Sequence, residues 1–364
     1  MKVTVTQENL NSALGTVARV ASTRTSLPVL GNILLRTESN RLLLAATNLE
    51  VAITQHIGAK VVSEGAITVP ARLLSEFVAN LPKGNVDLRV DGSKLHISAD
   101  KYVSTINGMV ADEFPALPVI EDVAPLVLAT DLLKTAISQT VLTASSDSTR
   151  PVLTGALLHS HEGHLYLAAT DGYRLAERRL VSAPSELRAL IPASTLQDVA
   201  RVVPDDCDEV SLLVDESQVR FRMGDIEVTS RLIEGNFPDY RQLIPKDTEI
   251  HADVARNEFS RVTKVASLFA RESGGSVTIT TDVQKQLLSI HSVASQLGEN
   301  TSEASAEIDQ EGSVTLNSRY LIEALGCFSS ERIRFGFSGK LAPCVLTSDS
   351  GGGDYQHIVM PLRS

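Results

Sequence analysis

The chain is predicted to be an α+β protein built from three tandem copies of one unit. Three observations carry this: an internal repeat, apolar residues at helical spacing, and short β-branched runs separated by turn residues. Residues 28–53 (PVLGNILLRTESNRLLLAATNLEVAI) align with residues 151–176 (PVLTGALLHSHEGHLYLAATDGYRLA), with Pro28 on Pro151 and Thr47 on Thr170, an offset of 123. Downstream, Thr68–Ala71 aligns with Leu190–Ala193 and Glu113–Pro115 with Asn236–Pro238. A third copy is fainter: Val314–Arg319 aligns with Thr68–Arg72, and both lead into a short apolar helix, Tyr320–Phe328 and Leu73–Leu81. The repeats place the domains at 1–120, 121–246 and 247–364, with Pro115–Pro118 and Pro245–Thr248 as the junctions.

Each copy is expected to begin with a strand and an amphipathic helix. Leu10, Leu14, Val17 and Ala21 fall at helical spacing in the first copy, Leu133, Ile137, Val141 and Ala144 in the second, and Phe259, Val262, Ala266 and Phe269 in the third. Asp131 and Asn257 stand where short polar side chains favour a helix start. Strands such as Asn32–Arg36 and Leu42–Thr47 follow, then a second helix at Ala71–Asn80, Ser194–Val202 and Ser318–Gly326, then more strands. That gives six helices per chain. Gly351–Gly353 reads as a loop tip.

Composition narrows the function. Hydrophobic residues make up 43% of the 364, but aromatics only 4% and Trp is absent, so the cores are aliphatic. The N-terminus lacks a signal-peptide core and no apolar run is long enough for a membrane span. Cys207, Cys327 and Cys344 show neither paired nor zinc spacing, which fits a reduced cytoplasm. No phosphate-cradling GxxxxGK[ST], no GxGxxG after a strand and no HExxH occurs. His159, His161 and His164 could hold a metal but read better as an edge strand and turn, and Asp205, Asp206, Asp208 and Glu209 as a solvated turn. The expectation is therefore no catalytic residue, no metal and no cofactor, the alternative being an enzyme on a repeated α+β scaffold. A net charge of -11 argues against nucleic-acid binding unless the charges are unevenly placed.

Three stretches decide the family: Ser26–Asn32 (SLPVLGN), Ala169–Leu175 (ATDGYRL), and Gly235–Pro245 (GNFPDYRQLIP) taken with Val359–Arg363 (VMPLR). With these the whole chain resembles the bacterial sliding clamp, the beta subunit of DNA polymerase III. The resemblance implies three similar domains per chain and two chains closed head to tail into a ring, helices inward and sheets outward. It implies a processivity factor that encircles duplex DNA and tethers the replicative polymerase, the clamp loader and repair polymerases through short peptide motifs. Helix packing agrees: at about 9 Å between neighbours, six lining helices leave a hole of roughly 7 Å, and twelve leave roughly 24 Å, enough for B-DNA. Segments 7–21, 71–80, 130–146, 194–203, 254–272 and 318–326 carry nine basic residues against seven acidic ones, a net of +2 that leaves -13 on the rest of the chain. Arg261, Lys264 and Arg271 share one helix face opposite the apolar stripe.

Carried over residue by residue, the resemblance implies a peptide pocket of Arg150, Leu153, Thr170, Gly172, Tyr173, Arg174, Leu175, Pro238, Gln242, Leu243, Tyr320, Val359, Met360, Pro361, Leu362 and Arg363. Plain core packing is the competing reading for Leu153, Leu175 and Val359. It implies non-specific phosphate contacts from Arg24, Arg72, Lys134, Arg201, Arg256, Arg261, Lys264 and Arg319, and a dimer interface in which Leu268 and Phe269 meet Ile106 and its neighbours on the other chain. The chain departs from the family pattern at Tyr173, where His is frequent, at Gln242, where Arg is common, and at Ser364, where the last residue is usually apolar. Ser194 stands where the other copies have Arg72 and Arg319.

Overall fold

The computed structural model describes residues 1–21, 27–120, 124–183, 186–296, 298–348 and 353–362. Arg24, Arg363, Ser364 and most of the glycine run lie outside the described residues.

The same order of elements recurs three times. In the first copy β1 (Lys2–Thr6) leads into α1 (Gln7–Val17); β2 (Asn32–Glu38), β3 (Arg41–Thr47), β4 (Val51–Gly58), β5 (Lys60–Ser63) and β6 (Ala66–Pro70) lead into α2 (Ala71–Ala79); β7 (Asn85–Asp91), β8 (Lys94–Ala99) and β9 (Tyr102–Asn107) close it. The second runs β10 (Leu126–Ala129), α3 (Thr130–Thr140), β11 (Gly155–His161), β12 (His164–Thr170), β13 (Arg174–Ser182), β14 (Arg188–Pro192), α4 (Ala193–Val202), β15 (Glu209–Val214), β16 (Gln218–Met223) and β17 (Ile226–Arg231). The third runs β18 (Ile250–Ala255), α5 (Arg256–Phe269), β19 (Ser276–Asp282), β20 (Leu287–Ala294), β21 (Gly298–Ile308), β22 (Gly312–Asn317), α6 (Ser318–Gly326), β23 (Arg332–Phe337), β24 (Cys344–Ser348) and β25 (Tyr355–Val359).

Helix ends follow local chemistry. The Thr6 side chain caps α1 by accepting from the Asn9 N–H at 3.4 Å, and Asn317 caps α6 by accepting from the Arg319 N–H at 2.9 Å. Asn257 sits in the first turn of α5 as expected but does not cap it: Ala255 holds the cap position without a side-chain bond, and the Asn257 carboxamide oxygen accepts from Arg256. The first helices of copies one and two are shorter than their periodicity suggests. They tighten into 3-10 turns at Ala18–Val20 and Val141–Thr143, so Ala21 and Ala144 fall beyond the helix. Arg271 likewise sits in a 3-10 turn after α5 rather than on its face.

The chain divides into two compact units that cut through the central copy. One comprises Met1–Leu133 with Ser194–Leu232, the other Lys134–Ala193 with Ile233–Ser364. In the first, the sheets run β5-β1-β7-β8-β9 and β10-β15-β16-β17-β4-β3-β2-β6. In the second, one sheet runs β14-β11-β12-β13-β25-β24-β23-β18-β21-β20-β19-β22. Sheets therefore pass from one repeat into the next, β17 pairing with β4 and β25 with β13, all antiparallel. The core of the second unit is aliphatic with an aromatic centre, where Phe259 of α5 meets Phe335 edge-on at 5.7 Å between centroids.

Candidate functional site

The turn between β12 and β13 is held by its own polar residues. The Thr170 hydroxyl donates to the Arg174 carbonyl at 2.6 Å and accepts from the Gly172 N–H at 3.0 Å. One Asp171 carboxylate oxygen accepts from the N–H groups of Tyr173 and Arg174 at 2.9 and 3.0 Å. Gly172 has φ +93°, which the absence of a Cβ makes cheap. The turn pushes Tyr173 outward, 60% exposed.

Arg174, the next residue, is buried. Its guanidinium donates to Asp171 at 3.1 Å, to the Leu142 carbonyl at 2.7 Å and to Glu323 of α6, and lies 4.5 Å from the Tyr320 ring centroid. Glu323 also accepts from Arg319 at 2.8 Å. Burial alone would raise the Glu323 carboxyl, but hydrogen bonds from the two arginines carry it below its ordinary value. Burial and the Asp171 charge push the Tyr320 phenol up.

The apolar part of the site comes from β25 and the segment after it. Arg174 pairs with Val359 and Leu175 with Ile358. The Met360 N–H then donates to the Tyr173 carbonyl at 2.9 Å and the Leu362 N–H to the Thr315 carbonyl at 2.8 Å, which lays Met360–Leu362 against the body, half-buried. Val359 and Leu175 are 0% and 3% exposed and pack into the core; Leu153 joins Leu175 and Ile358 in a cluster with Phe237 and Tyr240. Of the apolar candidates, Met360, Pro361, Leu362, Tyr173 and Leu243 reach the surface, while Val359 and Leu175 support it from below. Arg150 bonds the Asp171 carbonyl at 3.2 Å and so joins the turn.

Pro238 and Gln242 face a separate cavity of about 650 Å³ with His159, His161, Arg188 and Lys246. Beneath it lies a buried network that sequence reasoning missed. The Tyr240 hydroxyl meets His159 Nε2 at 2.7 Å and donates to Glu177; Arg241 pairs with Glu177 at 2.9 Å and stacks on Tyr166 at 4.3 Å. Burial, reinforced by Arg241, holds the His159 imidazole down at about 4, so it is neutral at pH 7. Burial and the Glu177 charge raise the Tyr240 phenol. The expected edge strand is not what the structure has: β11, with His159 and His161, pairs with both β12 and β14, and the turn that follows holds His161 against Glu162 and His164 against the Glu162 carbonyl. Asp205, Asp206, Asp208 and Glu209 lie exposed around the turn before β15.

The basic candidates are not equivalent. Arg261 and Lys264 stand exposed on α5. Arg72, Arg201 and Arg319 are exposed but lie beside Glu76, Asp198 and Glu323 at 2.8, 3.8 and 2.8 Å. Arg256 is tied to the Phe328 carbonyl at 3.0 Å, and Lys134 is half-buried. At the expected interface, Leu268 is 51% exposed and Phe269 half-buried, whereas Ile106 is only 4% exposed and turns into its own sheet. The exposed apolar groups of β9 are Val103 and Tyr102, 77% and 50% exposed, on opposite sides of the strand. β9 is an edge strand, and residues 298–305 of β21 pair on one side only.

Three copies of a strand-helix unit, sharing sheets across the repeat junctions, define a clamp-type fold. Models of the N-terminal, central and C-terminal domains of the DNA polymerase III beta subunit match residues 1–118, 127–239 and 241–363. The chain belongs to the DNA polymerase III beta-subunit family, the sliding clamps, which are non-catalytic processivity subunits. It is 33% identical to the beta sliding clamp of Synechocystis sp. over 394 aligned positions, covering 100% of this chain and 99% of the relative. Among solved structures it resembles the DNA polymerase sliding clamp of Bacillus subtilis, with a TM-score of 0.96, 28% identity and coverage of 100% and 99%. It also resembles the Pseudomonas aeruginosa sliding clamp solved bound to griselimycin, with a TM-score of 0.94, 27% identity and full coverage of both chains.

Proposed function

We propose that two copies of this chain close head to tail around duplex DNA in the cytoplasm and hold the replicative polymerase, clamp loader and repair polymerases there. Each copy has domains at 1–120, 121–246 and 247–364. The observation that carries this is the match of all three repeats to the clamp family over the full length. The helical segments, at +2 against -13 elsewhere, give a weakly basic lining suited to sliding rather than gripping. Arg24, Arg72, Lys134, Arg201, Arg256, Arg261, Lys264 and Arg319 are the proposed phosphate neighbours, with Arg261 and Lys264 best supported by their exposure.

Partners dock apolar segments on Tyr173, Leu243, Met360, Pro361 and Leu362, with Arg150, Thr170, Gly172, Arg174 and Tyr320 shaping the cleft and Leu153, Leu175 and Val359 forming its floor. Pro238 and Gln242, which face the neighbouring cavity, are proposed as an extension of this surface, and Arg363, outside the described residues, is kept as a candidate. The dimer forms when Leu268 and Phe269 of one chain meet the β9 edge of the other, with Val103 and Tyr102 as the apolar contacts and Ile106 behind them. The protein loaded on a nicked circular plasmid is expected to stay bound through a salt wash and to be lost when the plasmid is linearised. Equal retention on both forms rejects the ring.

A further inference from the structure

The turn that shapes the peptide cleft is duplicated, bond for bond, in the first repeat. The Thr47 hydroxyl donates to the Val51 carbonyl at 2.9 Å and accepts from the Leu49 N–H at 3.0 Å, as Thr170 does with Arg174 and Gly172. Asn48 accepts from the N–H groups of Glu50 and Val51 at 3.0 and 2.8 Å, as Asp171 does for Tyr173 and Arg174. The Arg231 N–H donates to the Glu50 carbonyl at 2.9 Å, as the Met360 N–H does to the Tyr173 carbonyl. Leu49, Glu50, Val51 and Arg231 thus occupy the places of Gly172, Tyr173, Arg174 and Met360.

The duplicated turn also borders a cavity of about 410 Å³, lined by the apolar Leu49, Val51, Pro115, Ala116 and Pro118, by the polar Gln218, Thr229 and Ser230, and by the charged Glu50 and Arg231. Leu49 has φ +77°, whereas the other non-glycine residues with positive φ are polar: Ser39, Asn40, Asp100, Glu162 and Gln286. A large apolar residue in the left-handed region is strained, and strain of this kind gathers at ligand-contacting sites. Here it holds a side chain 49% exposed at the cavity wall, where the second copy has glycine. Among the described residues no ion pair joins the Glu50 and Arg231 side chains. The cavity therefore sets a carboxylate and a guanidinium beside a partly apolar wall, in place of the aromatic and thioether of the other cleft.

We propose that this cavity is a second peptide-docking site, taking a short extended segment with one apolar side chain between a basic and an acidic one. The apolar group lies on Leu49 and the prolines, the basic one on Glu50 and the acidic one on Arg231. This rests on reading the Thr170–Leu175 turn as part of a peptide cleft. The two sites differ in specificity, because Val51 and Arg231 replace Arg174 and Met360.

The test uses the full chain and two probes, acetyl-Lys-Leu-Asp-amide for this site and acetyl-Leu-Phe-amide for the Met360 cleft, with affinities from ligand-observed NMR. Leu49→Gly relieves the backbone while removing the wall, so it keeps the fold; Arg231→Gln removes only the charge. Each should weaken the tripeptide about tenfold, the worth of one contact of this size, and leave the dipeptide unchanged. Reversing the tripeptide to acetyl-Asp-Leu-Lys-amide should cost a similar factor. Equal binding of the two tripeptides, insensitivity to both substitutions, or loss of the tripeptide on Met360→Ala overturns the second site. Dipeptide binding abolished by Met360→Ala upholds the first cleft in any of those cases, and dipeptide binding untouched by Met360→Ala overturns the cleft reading on which this proposal rests.

Discussion

Replacing Arg174 by Met tests how much the buried arginine contributes to the second unit. The change keeps most of the apolar stem and removes three polar contacts: Asp171 at 3.1 Å, the Leu142 carbonyl at 2.7 Å, and Glu323. Removing one partner of a buried ion pair costs about 3–5 kcal/mol, chiefly because the remaining charge is left without compensation. The Arg174 and Asp171 side chains are 8% and 14% exposed, but Glu323 is 31% exposed and keeps Arg319, so the lower figure, about 3 kcal/mol, applies. A unit of this size loses roughly 2–4 °C in melting temperature per kcal/mol, which gives a drop of about 6–12 °C. The assay is thermal unfolding by circular dichroism at fixed protein concentration, since the proposed dimerisation would shift the midpoint. Adding Asp171→Asn should recover part of the loss by removing the stranded charge, since Asn48 holds the equivalent turn of the first copy with the same backbone bonds. A midpoint within about 2 °C of the unsubstituted protein, or no recovery in the double variant, would refute the reasoning.

Four further outcomes are expected. His357 is fully buried and held down at about 3, so the unfolded chain takes up its proton first as pH falls; stability should decline from about pH 6.5 toward 3, by at most about 1.4 kcal/mol per unit, and His357→Gln should flatten that slope in urea titrations at successive pH values. Replacing Leu268 and Phe269 by Lys should give monomers in sedimentation velocity, because charge would be buried at the contact; an unchanged dimer removes the assignment. Changing Arg261 and Lys264 to Gln should lower the log–log salt slope of DNA binding by about 2 without creating any sequence preference. Deleting Met360–Ser364 should abolish docking of polymerase-derived peptides and spare the dimer, and tight peptide binding by the truncated chain would place the site elsewhere.

How far the sequence carried each element depends on the distance over which its cause acts. The repeat offset and helical spacing located the six helices, because both are local. Their exact ends were not legible, since the tightening at Ala18–Val20 and Val141–Thr143 depends on how each turn meets its neighbours. ATDGYRL marks the site turn, and Asp171 within it is the residue type that accepts from the N–H groups two and three positions on, here those of Tyr173 and Arg174. Glu323, 149 residues from Arg174, could not be paired with it from sequence. Nor could the Tyr240–Glu177 bond, which spans 63 residues. Ile106 illustrates the weakness of strand reading: burial changes along one face of a strand, and Tyr102, on the same side of β9 four residues earlier, is 50% exposed where Ile106 is 4% exposed. The same limit applied to Val359 and Leu175, apolar residues that suit a cleft floor and a core equally well.

The pairing of β13 with β25, and of β17 with β4, means that a repeat and a cooperative folding unit are different things in this chain. Cutting the gene at a repeat boundary would leave a long strand edge bare, either β25 without β13 or β4 without β17, and bare edges recruit other chains. An isolated third repeat should therefore oligomerise or precipitate even though its own core is complete. The central repeat has a different fate, since its two halves belong to different units, one finished with the first repeat and the other only with the third. During synthesis the β11–β14 half must wait for the last strand of the chain, so the growing protein carries that unfinished edge until translation ends.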